Sequence, residues 1–178
     1  MKAVNTLASV AVAAAVLACA GPTVSSAQEV KWERSIPFSL ALEAAMAALA
    51  CSESFGSHTS VGVMDIAGQW KVLLVPDNHT MIGLKVLPEK MNAALLRQQA
   101  TKDMVALSKP PNRAEIDTSG NVLERIAPGM AVVSPGGVPL FAGKDFVGVI
   151  GVGGATTPGD VDNKCAQAGA DKIKDRLK

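Results

Sequence analysis

The sequence contains no tyrosine and only 2 histidines in 178 residues. The missing phenol removes one common proton donor. There is no CxxC pair and no cluster of cysteine with histidine, which argues against a structural zinc site. No basic run or stripe occurs: 17 Lys+Arg stand against 16 Asp+Glu, scattered along the chain, and such a balanced surface argues against nucleic acid as a partner. The mildly basic end "DKIKDRLK" reads as a solvated helix terminus, where cations suit the helix dipole. A dinucleotide fingerprint is missing too, because Gly151 and Gly153 are followed by Thr156 where a third glycine belongs, and Gly143-Lys144 runs into Asp145, not Ser or Thr. "GVGGA" carries no nucleophile, and neither a serine-histidine-acid order nor a paired-carboxylate geometry is present. The chain has no repeat of 20–50 residues.

The first residues are distinctive. Lys2 is the only charge before Glu29, "TLASVAVAAAVLACA" is an apolar run of signal-peptide length, and Ser25 and Ala27 are the small residues that precede a cut. The run is short for a membrane span. A lipidated Cys19 is disfavoured by the large Leu17. The expected organisation is a signal peptide at 1–27, a flexible segment at 28–35 and one domain at 36–178, periplasmic or secreted, with no membrane span after cleavage. Removing Lys2 with the leader leaves 17 − 1 = 16 cationic residues against 16 anionic ones, a net charge of zero. Cys51 and Cys165 survive cleavage. In an oxidising compartment they form a disulfide, or else they are two small buried residues, and the residues alone leave both open.

Coarse patterning gives an α+β chain. "IPFSLALEAAMAALACSESFG" reads as a helix with Ser39 as its N-cap, a stripe of Leu42, Met46 and Leu49, alanines that permit close approach, and Gly56 as its stop. Val61 and Val63, then Trp70, Val72 and Leu74, alternate as two strands about a turn at Ala67-Gly68, with Asp65 placed to bond turn amides. A helix with Pro88 in its first turn and Glu89 at its positive end carries Met91, Ala94 and Leu95 on an apolar face and runs to "KPPN". Residues 113–130 look irregular. "MAVVSP", "VPLFAG" and "FVGVIGVGG" are extended, with turns at "PGG" and "GKD". Thr157 and Pro158 suit the start of a last helix, with Asp160 in its first turn and a stripe of Ala166, Ala170, Ile173 and Leu177. The architecture expected is a single-domain sandwich of an antiparallel sheet with packed helices.

Glycines at 136, 137, 143, 148, 151, 153 and 154 crowd the stretch from Ser134 to Gly154. Such a strand lets another backbone, or a flat ligand, lie against it. "VVSPGGVPLF" followed by "FVGVIGVGGA…GDVDNKCAQAGADKI" closely resembles the haem-degrading, haem-binding family of the GlcG and HbpS type. "FSLALEAAMAALA", "VGVMDIAGQWKVLLVPDN" and "AALLRQQATKDM" are similar to that family's opening helix, hairpin and central helix, so that the likeness spans roughly residues 36 to 177. It departs from the family pattern at "NHTMIGLKVLPEKMNAA", which keeps His79-Thr80 but carries extra residues before the helix and Asn92 at the usual tyrosine.

The resemblance implies an exported domain that binds haem or another flat tetrapyrrole, with a role in haem degradation or sensing, assembled as a homo-oligomer. A module that binds a non-haem metabolite or scaffolds a protein partner is the alternative. His79 is the candidate iron ligand. Thr80 would bond the ligand or cap a turn. Lys85, Lys90 and Arg97 could meet carboxylates, and Gly136, Gly137, Gly151 and Gly153 would make room for a flat ring. Met64, Met81 and Met91 are soft donors or core fillers. His58 precedes a strand and matches no family motif. Side-by-side first and last helices would join Cys51 to Cys165.

Overall fold

A computed structural model describes residues 34–107, 134–156 and 160–178. The expected signal peptide, residues 28–33 of the expected linker, the segment read as irregular, most of "MAVVSP", and Thr157 and Pro158 lie outside the described residues. Arg34, at the end of that linker, bonds Asp145 at 2.7 Å.

Helix α1 spans Phe38–Ser54. It opens after Pro37, whose carbonyl accepts from Ala41 N at 3.0 Å; Ser39, the expected cap, is inside the helix, and no side chain caps it. Its buried face also differs from the expected stripe. Ala41, Ala44, Ala45 and Ala48 are fully buried, whereas Leu42 is 37% exposed and Met46 52%. Close packing decides this. A Cβ on Gly169 would sit 2.6 Å from the Ala44 carbonyl oxygen, so only small side chains fit where these helices meet. Gly56, at φ +65°, stops the helix; its N–H bonds the Glu53 carbonyl at 2.8 Å and Ser57 N–H bonds the Ser52 carbonyl at 3.0 Å.

Strands β1 (Ser60–Asp65) and β2 (Trp70–Leu74) form a hairpin. Asp65 Oδ1 accepts from Ala67 N at 3.0 Å and Gln69 N at 2.9 Å, the turn role its position suggests. Strands β3 (Gly137–Ala142) and β4 (Asp145–Gly153) form a second hairpin. β4 pairs antiparallel with β1 from Ser60–Gly153 to Asp65–Gly148, giving one sheet of order β2-β1-β4-β3.

Helices α2 (Met81–Arg97), α3 (Thr101–Leu107) and α4 (Val161–Ile173) complete the described elements, with a 3-10 turn at Lys174–Arg176. Pro88 lies inside α2 and not in its first turn. The residues read as an insertion are in fact the first two turns, because Thr80 supplies a cap that starts the helix earlier. Gln98, at φ 50°, breaks the expected single helix, and α3 resumes after it.

The sheet is covered on both faces. α1 and α4 pack on Val61, Val63, Ile150 and Val152 together with Ala166 and Ile173. The opposite face packs Met64 and Val149 against Leu87, Met91 and Ala94 of α2. β1 is therefore buried along its whole length, with Trp70 lying over Gly62. The architecture is α+β. Cys51 and Cys165 close a disulfide between α1 and α4, with sulfurs 2.06 Å and Cα atoms 5.3 Å apart.

Candidate functional site at the glycine end of the sheet

β4 ends where α2 and α4 begin, and the close approach of backbones there rests on glycine. Thr80 Oγ1 accepts from Gly83 N at 3.2 Å, capping α2, and donates to the Gly154 carbonyl at 3.4 Å. A Cβ on Gly83 would lie 2.6 Å from Gly154 Cα and 2.7 Å from the Gly153 carbonyl oxygen. The first turn of α2 is thus pinned to the last residues of β4.

His79 immediately precedes this cap. Its backbone N–H bonds the Pro76 carbonyl at 3.1 Å, and its ring Nδ1 is 3.0 Å from the same oxygen. A carbonyl only accepts, so the neutral imidazole carries its proton on Nδ1 and its lone pair on Nε2. The ring is half-buried. Beside it in the chain lie exposed apolar side chains: Val75 is 42% exposed, Met81 85% and Ile82 65%. Lys85, one turn after Met81, is exposed, and among the described residues it has no ion pair.

Lys90 is placed differently from the expectation that it would meet a ligand carboxylate. It is 3% exposed, and its Nζ lies 2.6 Å from Asp162 Oδ2 and 3.5 Å from the Val152 carbonyl. Asp162 Oδ1 accepts from Ala155 N at 3.0 Å. The lysine is spent on a link between α2, the end of β4 and the first turn of α4. Asp162 also lines a cleft of about 350 Å³ with Ser134, Pro135, Ala155, Asp160 and Val161. Arg97 is exposed at the far end of α2, 17 residues or about 25 Å of helix from the capped start. It is not brought to His79.

The four glycines expected to admit a flat ring instead admit protein. A Cβ on Gly151 would collide with Met91 and reach within 2.9 Å of Leu87; one on Gly153 would lie 2.8 Å from the Gly83 carbonyl. On Gly137 it would lie 2.5 Å from the Lys90 carbonyl, and on Gly136 it would meet the Val152 carbonyl. The slot beside β4 is filled by α2. Met64 and Met91 are likewise core residues, at 3% and 0% exposure. His58 is exposed before β1.

The Lys90–Asp162–Ala155 link, Val75 and Ile82 were not legible as site features. The pair is 72 positions apart, and nothing local in the sequence couples its halves.

A family model described as haem-degrading protein HbpS-like matches residues 36–171. Among solved structures, a double mutant of Streptomyces reticuli HbpS aligns at 28% identity with a TM-score of 0.67, covering 85% of this chain and 96% of its own. Klebsiella pneumoniae protein ORFY aligns at 19% identity, TM-score 0.70, covering 84% and 97%. A PduOC–haem complex aligns at 17% identity, TM-score 0.67, covering 78% and 95%. The last two share the fold. No curated protein matches the sequence.

Proposed function

This chain belongs to the haem-degrading HbpS-like family, and we propose that it binds haem through His79 at the start of α2. The observation that carries the reading is the Nδ1 contact to Pro76, which orients the ring and leaves Nε2 as the donor atom, the arrangement usual for a metal-bound histidine. Haem has flat apolar faces and two carboxylates on one edge. Val75, Met81 and Ile82 offer apolar surface next to His79, and Lys85 offers a cation for a carboxylate. Lys90 and Arg97 do not serve that purpose: one is buried in an ion pair, and the other is at the wrong end of the helix. Bound haem would supply redox-active iron. The chain would orient His79, shield one face of the ring and fix its charged edge. Two similar structures support the reading, one of an HbpS and one of a haem complex.

The proposal includes export after removal of residues 1–27, supported by the leader's composition, and assembly as a homo-oligomer that leaves the surface around His79 open. Among the described residues no helix is long and apolar enough to cross a membrane.

Titration with hemin tests the proposal. The expected result is a saturable Soret shift that weakens by about tenfold or more in His79→Ala; an identical titration in both proteins overturns the assignment of His79. A second reading, a small-metabolite module, is favoured by the cleft between Ser134 and Asp162. Native mass spectrometry that retains a mass other than haem would support it.

A further inference from the structure

We propose that Met81 is a peroxide-oxidised site, and that its oxidation weakens ligand binding at the start of α2. The second half rests on the haem reading above; the first does not. Met81 is 85% exposed, against 52% for Met46, 4% for Met104, 3% for Met64 and 0% for Met91. Methionine normally fills gaps in a core, so a thioether held this far into solvent, two residues from His79, is out of place as packing. Both cysteines of the described residues are locked in a disulfide. Exposed thioethers are therefore the oxidisable sulfurs there, and Met81 is the most open of them.

The chemistry is a two-electron oxygen transfer. A Met81 Sδ lone pair attacks one oxygen of a hydroperoxide, the O–O bond breaks, and the sulfur becomes a sulfoxide. The proton of the transferred oxygen passes to the departing oxygen, so that hydrogen peroxide is reduced to water and an organic hydroperoxide to an alcohol. The product is a polar, chiral side chain. On the surface proposed to carry an apolar ring face, it replaces apolar contact with a group that holds water. Enzymatic reduction of the sulfoxide restores the thioether, so the change is reversible.

The test treats the full chain with graded hydrogen peroxide, maps oxygen uptake at each methionine by peptide mass spectrometry, and titrates hemin before and after. Met81 is expected to oxidise first, ahead of Met46 and far ahead of Met64, Met91 and Met104. Peroxide is expected to weaken hemin binding about tenfold, with recovery after treatment with methionine sulfoxide reductase. Whatever affinity Met81→Leu has at the outset, peroxide leaves it unchanged, while Met46→Leu responds like the parent protein. Oxidation of Met81 no faster than of Met91 overturns the site. An equal peroxide effect in Met81→Leu overturns the coupling. Failure of the untreated protein to bind hemin overturns the haem reading and the coupling together, and leaves the methionine map to decide the site alone.

Discussion

Lys90 Nζ lies 2.6 Å from Asp162 Oδ2 across 72 positions of sequence, with the lysine 3% exposed. Burying two charges is favourable only when their remaining hydrogen-bonding capacity is also used. Here the second carboxylate oxygen takes the Ala155 N–H and the ammonium approaches the Val152 carbonyl. The pair therefore reads as a clamp holding the start of α4 against α2 and β4.

Removing both halves of the clamp should cost less than the two separate removals added together. Lys90→Met leaves Asp162 facing protein without its partner and is expected to cost about 3–5 kcal/mol. The double change Lys90→Met with Asp162→Asn is expected to cost clearly less than the two single changes summed. Urea unfolding of the four proteins measures this coupling, and strict additivity would contradict the clamp.

The packing of α2 on β4 makes a second prediction. Alanine in a strand would ordinarily be preferred to glycine by about 0.5–1 kcal/mol. At Gly151 the added methyl meets Met91 and Leu87, so Gly151→Ala should instead destabilise by about 1–3 kcal/mol. Met91→Ala in the same chain opens that space, and the combined loss should be smaller than the sum. A Gly151→Ala protein more stable than the parent would mean that the space beside the strand is open.

Acid should act through Asp65. Burial alone would raise its pKa, but hydrogen bonds from Gln69 and Ala67 N–H and from Lys71 outweigh burial and hold it below the ordinary 3.8. A carboxylate with a lowered folded pKa contributes stability in full above its ordinary value, and that contribution is lost as pH falls through the folded value. Asp65→Asn keeps an oxygen for the two turn amides but cannot titrate. Its stability is expected to fall less steeply than the parent's below about pH 4, as read from thermal midpoints across pH; parallel profiles would contradict the role given to Asp65.

Much of the fold was legible because its signals are local. The alternation of Val61 with Val63 lies within β1, the "GKD" turn joins two strands adjacent in the chain, and Ala166, Ala170 and Ile173 are buried along α4, whereas Leu177, expected on the same helix, is buried just beyond the 3-10 turn that follows it. Local reading failed where a distant neighbour decides. In α1 side-chain size suggested that Leu42 and Met46 face inward, but Gly169 brings α4 so near that alanine alone fits. Pro88 suggests a helix start, but Thr80, eight residues before the proline, already caps one and is anchored to Gly154 from another part of the chain. The same holds for the candidate site. The glycines signalled a close approach correctly, yet the sequence could not say whether a ring or a helix makes it. His79 stood out as one of 2 histidines, whereas its bond to Pro76 required the turn to be seen.

Resonance Raman spectroscopy of the reduced haem complex tests the assignment of His79 most directly, since it reads the bond between iron and an imidazole nitrogen. The parent protein is expected to show an iron–histidine stretch that is absent from His79→Ala and returns when free imidazole is added to that variant. An unchanged stretch in His79→Ala, or none in the parent, would contradict it.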